Sequence, residues 1–191
     1  MTVGALPTRE QAVVLLHEWI QNVNLRKHCY AVEAAMRAYA TKYGEDPERW
    51  GLTGLIHDFD WERHPTADLH PMKGVEVLRA AGWPEDVCRA VLGHATYSGV
   101  PRDTLMARAL FACDELSGFL VACSLVTPEK KLASVGVESV RKKMKSAGFA
   151  RNVNRDDILQ GATELGVDLD QHIGFCLEAM RGIQAELGLG Q

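Results

Sequence analysis

The sequence predicts an all-α protein, folded as a single-domain helical bundle over residues 1–191. Apolar residues recur at the three- and four-residue spacing of helices, and no stretch shows the alternation of a half-buried strand. Proline and glycine residues fall between the periodic segments, where they commonly interrupt helices. With 47% apolar and 24% charged residues, a chain of this length can bury a core of its own.

Capping and breaking residues indicate the helix boundaries in the first half of the chain. Asp46 followed by Pro47 predicts a helix start, because an aspartate accepts free N–H groups of a first turn and proline suits the first helical position. Asn24 is the expected cap of the preceding helix, and Gly44 is expected to end it. The predicted helices span about residues 9–20, 25–43, 47–58, 71–82 and 84–94.

The second half begins with the most apolar helix. Pro101 is expected to start it, and apolar residues lie nearly all round it as far as Val126, which predicts a central buried position. A short basic helix is expected from Thr127 and Pro128. Three further helices are predicted over about residues 137–147, 156–165 and 169–187.

The composition excludes several classes of partner. A net charge of −4 gives no bulk attraction to nucleic acid or to anionic membranes, and no window approaches the ~20 apolar residues that span a bilayer. The five cysteines are odd in number and show no CxxC spacing, so we expect them to be reduced and buried. We therefore predict a cytoplasmic protein that binds neither nucleic acid nor membrane.

Ionisable side chains lie on predicted apolar helix faces, where they need a partner. Asp114 shares its face with Leu110 and Val121. A buried unpaired carboxylate costs several kcal/mol, which a metal ion would compensate. His94 follows Val91 on a similar face, although a lone histidine there is more often a hydrogen-bonded core residue. The candidate ligands are His28, His57, Asp58, His70, His94 and Asp114.

The joint pattern favours a metal centre over unrelated core histidines. Imidazole and carboxylate ligands without cysteine suit one or two ions of Mn, Fe, Co, Ni, Zn or Mg, whereas a closed structural zinc site would contain cysteine. Such a centre leaves positions for water and lowers its pKa toward 7, so hydrolysis of a phosphate ester is the natural reaction. His17 and His172, on amphipathic terminal helices, are interpreted as structural.

Three stretches resemble motifs of the HD-domain superfamily, over about residues 25–126: "LRKHCYAVEAAMRAYA", "GLIHDFDW" and "FACDELSG". The resemblance implies a helical bundle of the HD-domain type. It also implies that His28, His57, Asp58 and Asp114 bind one metal ion. Most members are metal-dependent phosphohydrolases of nucleotides or other phosphate esters, so the expected substrate is a small phosphorylated molecule.

Two further stretches, "HPMKGVEVL" and "VLGHA", are similar to the histidine motifs of members that hold two metal ions. They imply that His70 and His94 bind a second ion. The chain resembles an HDIG-like subgroup, with Phe59-Asp60 in place of Ile-Gly. Trp61 stands where nucleotidase members have a glutamate, and no GYP-like motif of cyclic-dinucleotide phosphodiesterases is present.

Four residues are candidates for catalytic roles. Asp58 would act at the metal, and Asp60 and Glu62 are expected to face the cleft as general acid or base. Lys73, one turn into the next helix, could meet a phosphate oxygen as a point charge. The alternatives are a polar loop for the two acids and a solvated surface position for the lysine.

The C-terminal helical extension, about residues 127–191, is the other candidate contributor, beside a metal-binding core of about residues 25–126. It concentrates positive charge, which is most often a solvated helix face. If it folds over the metal centre, Arg151 and Arg155 could bind a substrate phosphate, because a guanidinium binds phosphate in bidentate fashion.

Two other functions stay open beside a phosphomonoesterase or phosphodiesterase. A few HD-fold proteins use the same six ligands for a di-iron pair that activates oxygen, since ligand identity does not determine the metal. A non-catalytic module that senses a nucleotide or metal ion ranks last, because every ligand position is filled. The substrate, the metal and assembly into a homo-oligomer also stay open.

Overall fold

A computed structural model describes residues 6–190, and within that range nine α-helices and no β-strand are present. The all-α prediction is therefore confirmed. In chain order the helices are α1 (Arg9–Trp19), α2 (Val23–Tyr43), α3 (Pro47–Ile56), α4 (Met72–Ala80), α5 (Glu85–His94), α6 (Leu105–Leu125), α7 (Val137–Met144), α8 (Arg155–Leu165) and α9 (Leu169–Arg181).

Side-chain caps determine where the first helices begin. Asp46 accepts the N–H of Glu48 and Pro47 occupies the first position of α3, as expected. The predicted cap of α2 was wrong by two residues, because Asn22 accepts the N–H groups of Asn24 and Leu25. Helix α2 therefore starts at Val23.

Helix α6 starts four residues later than predicted. The side chain of Thr104 accepts the N–H of Ala107 and caps the helix. The preceding segment is not helical, and its Arg102 donates to the carbonyl oxygen of Gly93 at 2.9 Å and to both carboxylate oxygens of Glu164. Proline at position 101 therefore precedes the helix instead of opening it.

The predicted basic helix after Thr127 was also wrong. Only a 3₁₀ turn over Leu132–Ser134 forms there, because Lys130 has a positive φ of 50°, which an α-helix cannot contain. At the other end, α9 stops at Arg181, and turns replace the predicted continuation to Leu187.

The buried core is centred on α2 and α6. Helix α2 packs against α3, α6 and α9, and α6 also packs against α5 and α8. Buried His172 on α9 lies 2.6 Å from the hydroxyl of Tyr39 and 2.9 Å from the carbonyl oxygen of Ala112, which gives it a structural role. All five cysteines are buried and unpaired. None of the helices within residues 6–190 combines the length and apolar character that crossing a bilayer requires.

Helices α6 and α8 are in close contact at a glycine. A Cβ atom at Gly161 would lie 2.6 Å from the Cα atom of Ala112. Only glycine allows the two backbones to approach so closely. This contact places the start of α8 beside Asp114, and thereby brings part of the C-terminal extension to the candidate metal centre.

Candidate metal centre

The six candidate ligands converge from five parts of the fold. One lies on α2, two directly follow α3, one precedes α4, one ends α5 and one lies in the middle of α6. Five of them line one open cavity of about 460 Å³, and the sixth, His57, is completely buried at its base. In this order the residues are His28, His57 and Asp58, His70, His94 and Asp114.

Four of the side chains form a first group. Nε2 of His28 lies 3.2 Å from Nε2 of His57 and 3.0 Å from Oδ1 of Asp114. Nε2 of His57 is 3.3 Å from the same oxygen. Oδ2 of Asp58 completes the group, 3.6 Å from His57 Nε2 and 3.7 Å from His28 Nε2.

The other oxygen of Asp58 belongs to a second group. Oδ1 lies 3.3 Å from Nε2 of His70 and 3.2 Å from Nε2 of His94. These two nitrogens are 3.3 Å apart. Asp58 therefore stands between the groups, with one oxygen turned to each.

These separations match those of ligand atoms around a shared ion. With bonds of about 2.1 Å, neighbouring ligand atoms lie about 3.0 Å apart in an octahedron and about 3.4 Å apart in a tetrahedron. The donor atoms of His28, His57 and Asp114 all lie within 4.8 Å of one another, and so do those of His57, Asp58 and His94. The chemistry and spacing of the donor set therefore fit divalent metal ions.

Hydrogen bonds leave the Nε2 atoms of two histidines free to bind metal. Nδ1 of His57 is 2.7 Å from the carbonyl oxygen of Gly54, and Nδ1 of His94 contacts the carbonyl oxygen of Val91. A carbonyl oxygen only accepts, so each Nδ1 carries the proton. In the neutral ring, the lone pair is then on Nε2, which faces the other candidate ligands.

Asp60 performs the same function for His70. Its Oδ1 accepts a hydrogen bond from Nδ1 of His70 at 2.8 Å, and its Oδ2 accepts one from the N–H of Gly74 at 2.8 Å. A Cβ atom at Gly74 would lie 2.6 Å from Cγ of Asp60, so glycine leaves the space that the carboxylate occupies. Asp60 is completely buried behind His70 and does not face the cleft, contrary to expectation.

Charges within the centre change the pKa values strongly. Burial alone would lower the pKa of His57, but the negative charges of Asp58 and Asp114 raise it to about 9. Burial also opposes protonation of His70, whose hydrogen bonds to Asp58 and Asp60 raise its pKa to about 9. Burial would raise the pKa values of Asp58 and Asp114, but the facing imidazoles lower both. The metal-free centre therefore holds protons that a divalent ion would displace.

Glu62 and Lys73 lie outside the cavity. Glu62 Oε2 accepts the N–H groups of Gln21 and Asn22, both at 2.9 Å, and so ties the loop after α3 to the start of α2. Lys73 pairs with Glu76 at 2.8 Å on an exposed face of α4. Both side chains are therefore engaged away from the candidate ligands.

The two arginines of the C-terminal extension do not line the cavity either. The Arg155 guanidinium donates to the carbonyl oxygens of Ala150 and Val153 at 2.6 and 2.7 Å, so it stabilises the turn before α8. Arg151 is exposed. The extension does reach the centre, but through Asn152, Val153 and Asp157.

Several cavity residues were not identified from the sequence. Trp61 follows α3, Tyr97 follows α5, and Phe111 and Glu115 lie on α6 beside Asp114. Glu115 carried one usable signal, since it is a second acid directly after Asp114 in a mostly apolar helix. Asp157 carried none, because its place at the cavity depends on how α8 packs.

The model of the HD domain family matches residues 25–118, the segment that contains all six candidate ligands. Residues 25–118 of this chain belong to the HD-domain superfamily. The match supports the helical architecture. It also indicates a superfamily of the metal-dependent phosphohydrolase type. No curated protein and no solved structure matches the chain significantly. Membership of an HDIG-like subgroup stays a prediction.

Proposed function

We propose that this HD domain is a metal-dependent phosphohydrolase of a small phosphorylated molecule. The proposed ligands of a first ion are His28, His57, Asp58 and Asp114, and those of a second ion are Asp58, His70 and His94. The observation that carries the proposal is the position of Asp58, whose two oxygens face two separate groups of imidazoles. Asp58 would therefore help to hold both ions. Bound ions would activate water and polarise a phosphoryl oxygen.

The protein residues supply orientation and charge. The backbone carbonyls of Gly54 and Val91 hold two imidazoles in the metal-binding tautomer, and Asp60 does so for His70. The cavity gives a substrate access to one side of the cluster, while the buried His57 supports the other. We propose that Asp58 would help to hold both ions, and that Asp60 is a positioning residue rather than a general base.

Hydrolysis of 4-nitrophenyl phosphate and bis(4-nitrophenyl) phosphate, measured with added Mn, Co, Ni, Zn, Fe or Mg, tests the proposal. We expect turnover that chelation abolishes and that Asp58→Ala reduces at least about a hundredfold, because both groups lose a ligand. His17→Gln is the matched control, since His17 is an exposed histidine on α1 that contacts Tyr30. Equal activity in both variants would exclude the assigned centre.

The same ligands also suit a di-iron pair, so metal content must be measured in protein purified in air. Two irons per chain, oxygen consumption with candidate substrates and no phosphoester hydrolysis would replace the phosphohydrolase by an oxygenase. Binding of nucleotides or metal without any turnover would favour a sensor. A cytoplasmic location stays a prediction, consistent with five buried and unpaired cysteines.

A further inference from the structure

The wall of the cavity next to the candidate ligands carries acids but no base. Apart from the ligands, the charged residues that line it are Glu115 and Asp157, and no lysine or arginine from residues 6–190 does so. A volume of about 460 Å³ is in the range of small-molecule sites. The non-reacting part of a substrate would therefore meet carboxyl groups and no basic side chain.

These two carboxylates lack the partners that other shielded acids in this protein have. Within residues 6–190, the remaining buried or half-buried acids each pair with an arginine or a histidine, as Glu33 does with Arg9 and Glu164 does with Arg102. Glu115 and Asp157 are half-buried and have no such nitrogen within 4.0 Å in that range.

Asn154 instead holds both acids in place. Its backbone N–H donates to Glu115 at 3.1 Å, and its side-chain amide donates to Asp157 at 2.8 Å. The carboxylates come from α6 and α8, which the Gly161 contact keeps together. The pair is thus a built part of the cavity wall, and its carboxyl oxygens are available to a ligand in the cavity.

Aromatic rings are exposed elsewhere on the same cavity. Trp61 is 37% exposed and packs edge-on against His70, with 4.8 Å between ring centroids. Tyr97 is 49% exposed. Aromatic faces attract cations and also accept the flat surface of an organic group.

We infer that the substrate is a phosphate ester whose organic part carries a cationic amine, which lies against Glu115 and Asp157 while the phosphate is at the metal centre. This rests on the proposed function. Metal ions at the candidate ligands would hold the phosphate, which leaves the acids of the cavity wall for the other end of the substrate. An ammonium group would supply the hydrogen-bond donor and the positive charge that Glu115 and Asp157 lack among the residues lining the cavity.

A series of three phenyl phosphates on one scaffold tests this specificity. They are 4-(aminomethyl)phenyl, 4-(hydroxymethyl)phenyl and 4-carboxyphenyl phosphate, which differ in the charge opposite the phosphate. We expect kcat/KM to be at least about tenfold higher for the amine than for the alcohol, and lowest for the acid. Asp157→Asn and Glu115→Gln should each reduce the ratio of amine to alcohol about tenfold. Comparing ratios removes the difference in leaving-group reactivity.

Asp156→Asn is the control variant, because Asp156 is the exposed neighbour of Asp157 on α8 and does not line the cavity. It should leave the ratio unchanged. Hydrolysis of all three esters with similar kcat/KM would overturn the inference and leave the phosphohydrolase standing. So would an amine preference that both cavity variants retain.

Equilibrium binding separates the inference from the reaction. Calorimetry with metal-loaded protein would compare 4-(aminomethyl)benzylphosphonate with 4-(hydroxymethyl)benzylphosphonate, neither of which can be hydrolysed. Tighter binding of the amine that Asp157→Asn abolishes would support the inference even if no ester were hydrolysed, in which case the proposed reaction alone would fail. Equal binding, or none, would overturn the inference.

Discussion

Asp60 and His70 form a completely buried hydrogen bond, 2.8 Å from Oδ1 to Nδ1, directly behind the second group of candidate ligands. The same carboxylate accepts the N–H of Gly74 in the first turn of α4. A carboxylate that orients a ligating histidine makes the imidazole more basic and determines its direction. The arrangement links a residue of the HD motif region to the proposed second ion at His70 and His94.

Asp60→Asn is therefore expected to weaken the binding of the second ion selectively. An amide still fills the space but is a poorer acceptor for Nδ1–H, so affinity at the His70 and His94 group should fall about ten- to hundredfold. Calorimetric titration with Mn would resolve the two binding steps. Asp68→Asn, an exposed acid in the same loop, is the control. An unchanged second step would contradict the assigned role.

Single substitutions should divide the centre into its two groups. Asp114→Ala should lose the first ion and retain the second, because Asp114 pairs with His28 and His57. His94→Ala should do the reverse, because His94 pairs with the Asp58 oxygen that faces the second group. Asp58→Ala should weaken both, since its two oxygens face different groups. Metal content by mass spectrometry after dialysis measures the stoichiometry. Identical losses in the Asp114 and His94 variants would refute two separate groups.

Metal affinity should rise with pH. His57 and His70 have pKa values of about 9 in the metal-free protein, above the ordinary value of 6.5, so below pH 9 protons compete with the ion. Each proton displaced should increase the apparent affinity about tenfold per pH unit up to about pH 9, and the increase should end above it. Competition with a chelator of known affinity between pH 6.5 and 9.5 measures this.

Stability of the metal-free protein should have the opposite dependence on pH. A histidine whose pKa is higher in the folded than in the unfolded state stabilises the fold fully when the pH is below the unfolded-state pKa. This stabilisation is lost as the pH rises through the folded-state pKa. For His57 and His70 that interval runs from about 6.5 to about 9. Urea unfolding without metal should accordingly show a falling free energy of unfolding over this range. A constant value would show that the imidazoles are not protonated in the fold.

Gly161→Ala should destabilise the protein by about 1–3 kcal/mol, because the new methyl group overlaps the backbone of α6. The measured quantity is the free energy of unfolding in urea. Gly148→Ala is the matched control, since a Cβ there has nothing within 4 Å, and its effect should stay within about 1 kcal/mol. If the α6–α8 contact also supports the cavity, Gly161→Ala should reduce metal affinity as well.

The helical fold and the identity of the clustered side chains could be predicted because both depend on local features. The spacing of apolar residues predicts a helix without knowledge of its neighbours, and Asp114 on an apolar face indicates that something must compensate its charge. The HD resemblance added His28, His57, Asp58 and Asp114 as one set. The structure brings these side chains together with His70 and His94.

Other features depended on contacts between distant parts of the chain. Asp60 was expected at the cleft, but the space that Gly74 leaves in α4 places it behind His70. Arg155 was a candidate for binding a phosphate only if the C-terminal extension covered the centre, and nearby carbonyl groups take up its donors.

The sequence by itself determined that this protein is helical and carries ionisable groups that need a common partner, because periodicity and the cost of a buried charge act locally. Only the tertiary structure decided that Asp58 turns one oxygen to each group of imidazoles, and that Glu115 and Asp157 face the same cavity. The physical reason is that the directions of these side chains depend on how α6 packs against α8 and on how the loop after α3 lies against α4.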